Sequence, residues 1–391
     1  MSKLTTICNI TTGKLDSNAA TSTGKYPYFT CAPIPLKIDS YSFDDDVILL
    51  AGNNAQGNFH LNRYNGKFDA YQRTYIIKPS ESNYIEYIKY SLELALKHFK
   101  NISQGSQTKF LTMKMLDSFD IKDLTYEEQY NLIQSIVLID KKIENNNKII
   151  STLEELSKTL YNYWFVQFEF PDDNGKPYKS SGGKMVRNEI FKKDIPDGWK
   201  VESMINNSIN NVIKPGVDYF ANKTYYPTAE IEGTNIGVGT IISYNDRELR
   251  ANMQPTPNSV WFAKMKSSKK HLFIDSNFNE FINNSVLSTG FMGIQCDDNS
   301  FEYVSSFIEN DFFEIKKDSL AHGATQEAVN NDDVSKINLL IPTDFVLKKY
   351  QLAAGDNFKF RNKLRNENKE LSKIRDWLLP MLMNGQANID D

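Results

Sequence analysis

One pattern that occurs twice constrains this chain more than any single motif in it. Gly105-Ser106-Gln107 is followed by Leu111, Leu116, Phe119 and Ile121, and Gly323-Ala324-Thr325-Gln326 by Val329, Val334, Ile337 and Leu339. Counted from each glycine, the apolar positions fall at the same offsets, so that Leu111 stands to Gly105 as Val329 stands to Gly323. Upstream, Thr74-Tyr75-Ile76-Ile77 and Phe291-Met292-Gly293-Ile294 end at nearly the same distance before their glycines. Earlier still, Tyr26-Pro27 and Tyr226-Pro227 each precede a strand-like apolar run, Val47-Ile48-Leu49-Leu50 and Val260-Trp261-Phe262. Self-similarity at a fixed displacement is the mark of a duplicated structural unit, so the two halves read as two copies of one domain.

Each copy is followed by a long helical stretch. Ile139, Ile143, Asn146, Ile150, Leu153, Ser157 and Leu160 recur in alternating steps of four and three. Phe360, Leu364, Glu367, Leu371, Ile374, Leu378 and Met381 do the same, each at a constant displacement from its counterpart. That spacing is the seam of a coiled coil, and Asn146 and Glu367 interrupt the two seams at the same register, where a polar residue weakens packing but fixes alignment. The expected architecture is mixed α/β: two pseudo-repeated domains joined by two long helices that form an antiparallel coiled coil. The boundaries read as a first domain at 1–125, a first spacer helix at 126–168, a linker at 169–195, a second domain at 196–345 and a second helix at 346–391. At about 1.5 Å per residue, a seam from Ile136 to Trp164 spans roughly 40 Å, on the order of one turn of B-DNA.

At 391 residues the chain is long enough for two or three domains with their own cores. No apolar run approaches the roughly 20 residues of a membrane helix, and the N-terminus lacks the apolar core of a signal peptide, so a cytoplasmic protein with no membrane partner is expected. Cys8, Cys31 and Cys296 are far apart and never in a CxxC pair, which fits a reducing compartment and argues against a structural metal. The formal net charge of −4 argues mildly against a nucleic-acid binder, but acidic residues on other faces can produce it.

Catalytic signatures are missing. There is no Asn/Asp-Pro-Pro-Tyr/Phe loop of an adenine methyltransferase. Gly233-Thr234-Asn235-Ile236-Gly237-Val238-Gly239 is glycine-rich but opens no helix, and Gly175 to Lys184 fails the Walker spacing and reads as a flexible linker. His60, His98, His271 and His322 form no metal-ligand spacing. The expectation is a non-catalytic chain with no metal and no cofactor of its own.

Residues suited to reading DNA combine cations for phosphate with Asn, Gln or Arg for base edges. In the first copy these are Asn53, Asn54 and Gln56 in a polar loop after the Val47–Leu50 run, then Arg63 and Arg73, with Gln107 and Lys109 beside the repeated glycine; the loop reads equally as a solvent loop with no ligand. In the second they are Arg247, Arg250, Asn252 and Gln254, the basic cluster Lys264, Lys266 and Lys269, which reads equally as a solvated face or a phosphate track, and Gln326 in the second glycine element. The glycine elements could hold a phosphate on backbone N–H groups or could simply cap a helix.

The segment Leu156-Ser157-Lys158-Thr159-Leu160-Tyr161-Asn162-Tyr163-Trp164-Phe165-Val166-Gln167-Phe168, continuing through Phe170-Pro171 and Asn174-Gly175-Lys176-Pro177-Tyr178, resembles the central region of type I restriction-modification specificity subunits. Ile195-Pro196-Asp197-Gly198-Trp199 resembles the family's entry into a second target-recognition domain, and Asn368 through Gly385 its second helix. The resemblance runs through the whole chain in order, although no Pro-x-Gly-Trp precedes the first domain. It implies a DNA-recognition subunit for a bipartite, asymmetric site in double-stranded DNA. It further implies two methyltransferase subunits as partners and, in the restriction form, motor-nuclease subunits. S-adenosylmethionine, and ATP with magnesium for restriction, would then be bound by those partners. Tyr161, Tyr163, Trp164, Phe165 and Phe168 are too aromatic for a solvent face; some are expected to fill the local core and some to anchor the methyltransferase subunits. The rival readings are a degenerate or stand-alone methyltransferase-related protein and a scaffold that does not bind DNA.

Overall fold

The computed structural model describes residues 1–16, 18–105 and 108–386. The chain divides into two compact units, one comprising Met1–Lys141 with Ile374–Asp391 and the other Lys142–Lys373.

In the first unit six strands form one sheet in the order Cys8–Thr12, Thr74–Pro79, Phe43–Ala51, Leu61–Ala70, Tyr26–Phe29, Leu36–Ile38. Neighbours are antiparallel except Tyr26–Phe29 beside Leu61–Ala70, which is parallel. The Val47–Leu50 run is apolar without a break because its strand is covered on both faces. Ile48 and Leu50 join the core beneath helix Ile85–Ile102, while Val47 and Leu49 pack with Phe29, Phe68 and Ile76 on the other side. The helix answers with Ile88, Leu92, Ala95 and Phe99, spaced to share one stripe. Each large side chain removed from water there contributes roughly 1.5–3 kcal/mol.

The second unit repeats this logic with two four-stranded sheets. One runs Asn210–Val212, Phe291–Cys296, Ser259–Ala263, His271–Ile274, and the other Thr240–Ile242, Lys223–Tyr226, Ser285–Ser288, Ala251–Met253. Along Ser259–Ala263, Val260 and Phe262 enter one core and Trp261 and Ala263 the other. The offset that relates the two glycine elements also recurs in the secondary structure: it carries the short helix Met113–Leu116 onto Asn331–Val334, and the start of one long helix at Tyr126 onto that of the other at Asp344.

The long helices run Tyr126–Tyr161 and Asp344–Met383. Within the second unit their pairing is antiparallel. Asn146 Nδ2 donates to Glu367 Oε2 at 2.9 Å and Asn368 Oδ1 at 2.8 Å, whereas Leu153 O accepts from Asn357 and Ser157 Oγ from Arg361 at 3.0 and 3.2 Å. The first seam, from Ile139 to Leu160, is buried or half-buried throughout. In the second, Leu364, Glu367, Leu371, Leu378 and Met381 are buried or half-buried as expected, but Phe360 and Ile374 are exposed, while Phe358, Arg361 and Arg365 are buried. Two arginines occupy the inner face, so apolar spacing alone gives only part of the stripe. Within the first unit, Ile133, Ile136 and Val137 share a core with Leu379 and Leu382.

Two boundaries also differ. The first helix closes in a π-turn at Asn162–Val166. The stretch expected as a linker, 169–195, instead carries strand Met185–Asn188, paired antiparallel with Lys193–Pro196, and Phe170 and Tyr178 stack at 4.5 Å between ring centroids.

Candidate functional site

Both units close the glycine element with the same backbone pair. Phe110 N donates to Gln104 O at 2.8 Å and Gln104 N to Phe110 O at 3.3 Å; at the equivalent positions of the second unit, Ala328 and His322 exchange the same pair at 3.1 and 3.2 Å. Gly105 and Gly323 turn the chain with φ of +105° and +143°. A Cβ on Gly105 would stand 2.0 Å from Thr108 O, and one on Gly323 2.3 Å from Gln326 O, so glycine alone fits either loop. The helix caps belong to other residues: Thr112 and Asn330 side chains accept from the N–H groups of Met115 and Asp333. Gln107 lies outside the described residues, and Gln326 is exposed.

Each loop docks on the segment that leaves the unit's central strand. In the first unit Asn53 pairs with Phe110 and Asn54 with Lys109. Asn54 Oδ1 accepts from the N–H groups of Gln56 and Asn58 at 2.9 and 3.0 Å, bending the polar loop over Gly57. Lys100 Nζ, at the end of its helix, donates to Asn58 Oδ1 at 2.7 Å. Asn53, Asn54, Gln56 and Lys109 are therefore brought together. Arg73 joins them, exposed, its carbonyl accepting from Gly52 N at 2.8 Å. Arg63 does not. Its guanidinium grips Asp46 at 2.6 and 3.0 Å and also Glu86, and these carboxylates raise its pKa further and hold it against the sheet. It serves the fold.

In the second unit the hairpin between Ser259–Ala263 and His271–Ile274 carries the lysines. Lys266 pairs with Glu327 at 2.8 Å and Lys269 with Asp311 at 2.6 Å, so each has its counter-charge within the unit. A buried cluster anchors the hairpin. Lys317 Nζ donates to Glu314 Oε2 at 2.8 Å and Ser268 O at 3.1 Å, and His271 Nε2 meets Glu314 Oε1 at 2.8 Å. Burial alone would raise the Glu314 pKa, but the hydrogen bonds from His271 and Lys317 outweigh it and hold the carboxyl below its usual value. Lys264 is half-buried, and burial lowers its pKa.

The Thr289–Gly290 turn connects this hairpin to the other predicted cations, since Thr289 N donates to Arg250 O at 2.8 Å and Lys264 N to Gly290 O at 3.0 Å. Arg250 is exposed beside Glu248 at 2.6 Å. Asn252 is half-buried in its strand. Arg247 stacks on Tyr244 with its guanidinium carbon 3.8 Å from the ring centroid. Gln254 departs from the expectation: its side chain accepts from Lys223 at 2.8 Å and donates to Ile282 O at 2.7 Å, a crosslink internal to the unit. Sequence reading missed Lys100 and Lys214; the latter lines a small cavity with Lys264. Isolated lysines carry no motif, so only folding reveals their place.

Of the aromatic run, all but one side chain fill the core. Tyr161, Trp164, Phe165 and Phe168 are buried, and only Tyr163 is exposed. Phe165 packs 4.6 Å from Tyr303 and 4.8 Å from Tyr350, Trp164 5.3 Å from Tyr350, and Phe168 5.7 Å from Trp199. They fasten the end of the first helix into the second unit's core. Among the described residues no helix is long and apolar enough to cross a membrane.

Residues 1–155 match the family model for the type I restriction modification DNA specificity domain. The chain is 31% identical over 204 residues to the type I restriction enzyme EcoDI specificity subunit of Escherichia coli, a match covering 49% of this chain and 45% of that one. To the MjaIX specificity subunit of Methanocaldococcus jannaschii it is 24% identical over 340 residues, 81% of this chain and 72% of the relative. The first of these matches thus spans under half of its relative's length. The fold is that of a type I restriction-modification system S subunit from M. genitalium, with a TM-score of 0.55 at 14% identity over 100% of this chain and 96% of the other.

Proposed function

We propose that this chain is a type I restriction-modification specificity subunit that reads a bipartite, asymmetric site in double-stranded DNA, one half-site per glycine-loop unit; the family-model match over residues 1–155 and the likeness to two specificity subunits support this reading. It would position two methyltransferase subunits there and, in the restriction form, restriction subunits. The observation that carries the reading is the glycine loop built twice, each copy docked beside a cation-bearing segment, Arg73 in one unit and Lys264 in the other. Equivalent glycine elements with different polar side chains suit two related tasks on two different sequences. Phosphate contacts would fix register, and residues such as Asn53, Gln56, Lys109, Arg247, Arg250, Asn252 and Gln326 are the candidates for closer reading. The antiparallel helices would set the spacing between half-sites. The chain itself would be non-catalytic and act in the cytoplasm. S-adenosylmethionine, and ATP with magnesium for restriction, would belong to the partner subunits. Exchanging residues 1–125 for those of a relative tests the modularity: one half of the methylated motif should change, and a change in both halves would contradict it.

A further inference from the structure

Strand pairing defines one equivalent place in each unit, where the central strand ends and the glycine loop docks. In the first unit Gly52 holds it: Gly52 N donates to Arg73 O and Leu111 N donates to Gly52 O, both at 2.8 Å. In the second Lys264 holds it: Lys264 N donates to Gly290 O and Val329 N to Lys264 O, both at 3.0 Å. Gly52 therefore corresponds to Lys264, and Arg73 to Gly290. The side chain has changed strands. Neither glycine leaves ordinary room opposite, since a Cβ on Gly52 would lie 2.3 Å from Arg73 O and one on Gly290 2.9 Å from Thr228 Cγ2. Each pair thus carries one side chain, and in both units it is a cation.

Resting on the reading that the chain binds duplex DNA, we propose that Arg73 and Lys264 are equivalent phosphate-contacting residues, one per unit, delivered from opposite strands of the same pair. Arg63, Lys266, Lys269 and Lys317 each have a carboxylate partner, whereas among the described residues Arg73 and Lys264, like the nearby Lys100, Lys109 and Lys214, form no ion pair; the strand pairing is what singles out Arg73 and Lys264. Lys264 borders a cavity of about 150 Å³ that it shares with Lys214, Met253 and Thr289. Burial lowers its pKa with no carboxylate to offset the cost, and an incoming phosphate would supply the missing counter-charge. The exchange also alters chemistry: a guanidinium fork can engage two phosphate oxygens, an ammonium acts as a point charge.

The test is a titration of the full chain with a fluorescein-labelled duplex of mixed sequence, long enough to span both half-sites, followed by anisotropy over a series of KCl concentrations. Arg73→Gln and Lys264→Gln should each reduce the slope of log affinity against log salt by about one, and the double variant by about two. Lys266→Gln and Lys269→Gln should leave the slope unchanged, and all variants should retain wild-type circular dichroism. Wild-type slopes in both Arg73→Gln and Lys264→Gln, with wild-type protein binding normally, would overturn the assignment and leave DNA binding standing. Absence of salt-dependent binding by the wild-type chain would overturn the DNA reading itself, and the assignment with it.

Discussion

Arg361 lies fully buried in the second long helix, its guanidinium against both carboxylate oxygens of Glu309 and the hydroxyl of Ser157. Removing one partner of a buried pair leaves the other charge uncompensated, so Arg361→Ala should cost about 3–5 kcal/mol in a urea melt. Arg361→Met with Glu309→Leu should recover most of that loss, because the desolvation penalty disappears with both charges. Glu302, on the same short helix as Glu309, is buried too, and burial raises its pKa to about 7 from an ordinary 4.5. The folded state then keeps a proton that the unfolded chain has lost. Stability should therefore fall as pH rises from 4.5 to about 7, by on the order of 3 kcal/mol, and level off above. Glu302→Gln should flatten this dependence and be the more stable protein at pH 8, read as urea midpoints across pH; an unchanged slope would show that Glu302 is not its source.

The glycine loops are elements that each depend on one backbone conformation. Gly323→Ala forces a side chain into the left-handed region and against Gln326 O, which should cost about 1–3 kcal/mol of strain and weaken DNA binding, measured by melting and anisotropy together. Trp164→Ala should cost about 3–5 kcal/mol of stability in the second unit; any partner-binding defect should then follow the loss of fold. These elements were unequally legible in the sequence. The glycine repeat, the two-faced strands at Val47–Leu50 and Val260–Phe262 and the first helix's seam were visible because apolar period and turn chemistry agree there. The second seam was visible only in part, because Arg361 and Arg365 look like surface residues until Glu309 and Glu154 are folded against them. The aromatic run at 161–168 was visible as a feature, but which of its side chains enter the core was not, since composition does not distinguish a core from an interface. Of the candidate DNA residues, sequence could nominate types but could not see that Arg63, Lys266 and Lys269 were already paired.

For the whole molecule, the two units are diverged copies of one plan. Two units keep the same glycine loop and short helix, yet differ in their sheets and in which strand bears the cation. One chain would thereby present two unlike reading surfaces, which a symmetric dimer of a single unit does not. If the helices act as a ruler, inserting one heptad into each should lengthen the unspecified gap between half-sites, and an unchanged gap would remove the helices from that role. The most direct test is to map adenine methylation by long-read sequencing in cells carrying this chain with a methyltransferase subunit that co-purifies with it. A split motif is expected, two short and different sequences around a fixed unspecified gap; a single uninterrupted motif would contradict the two-unit reading.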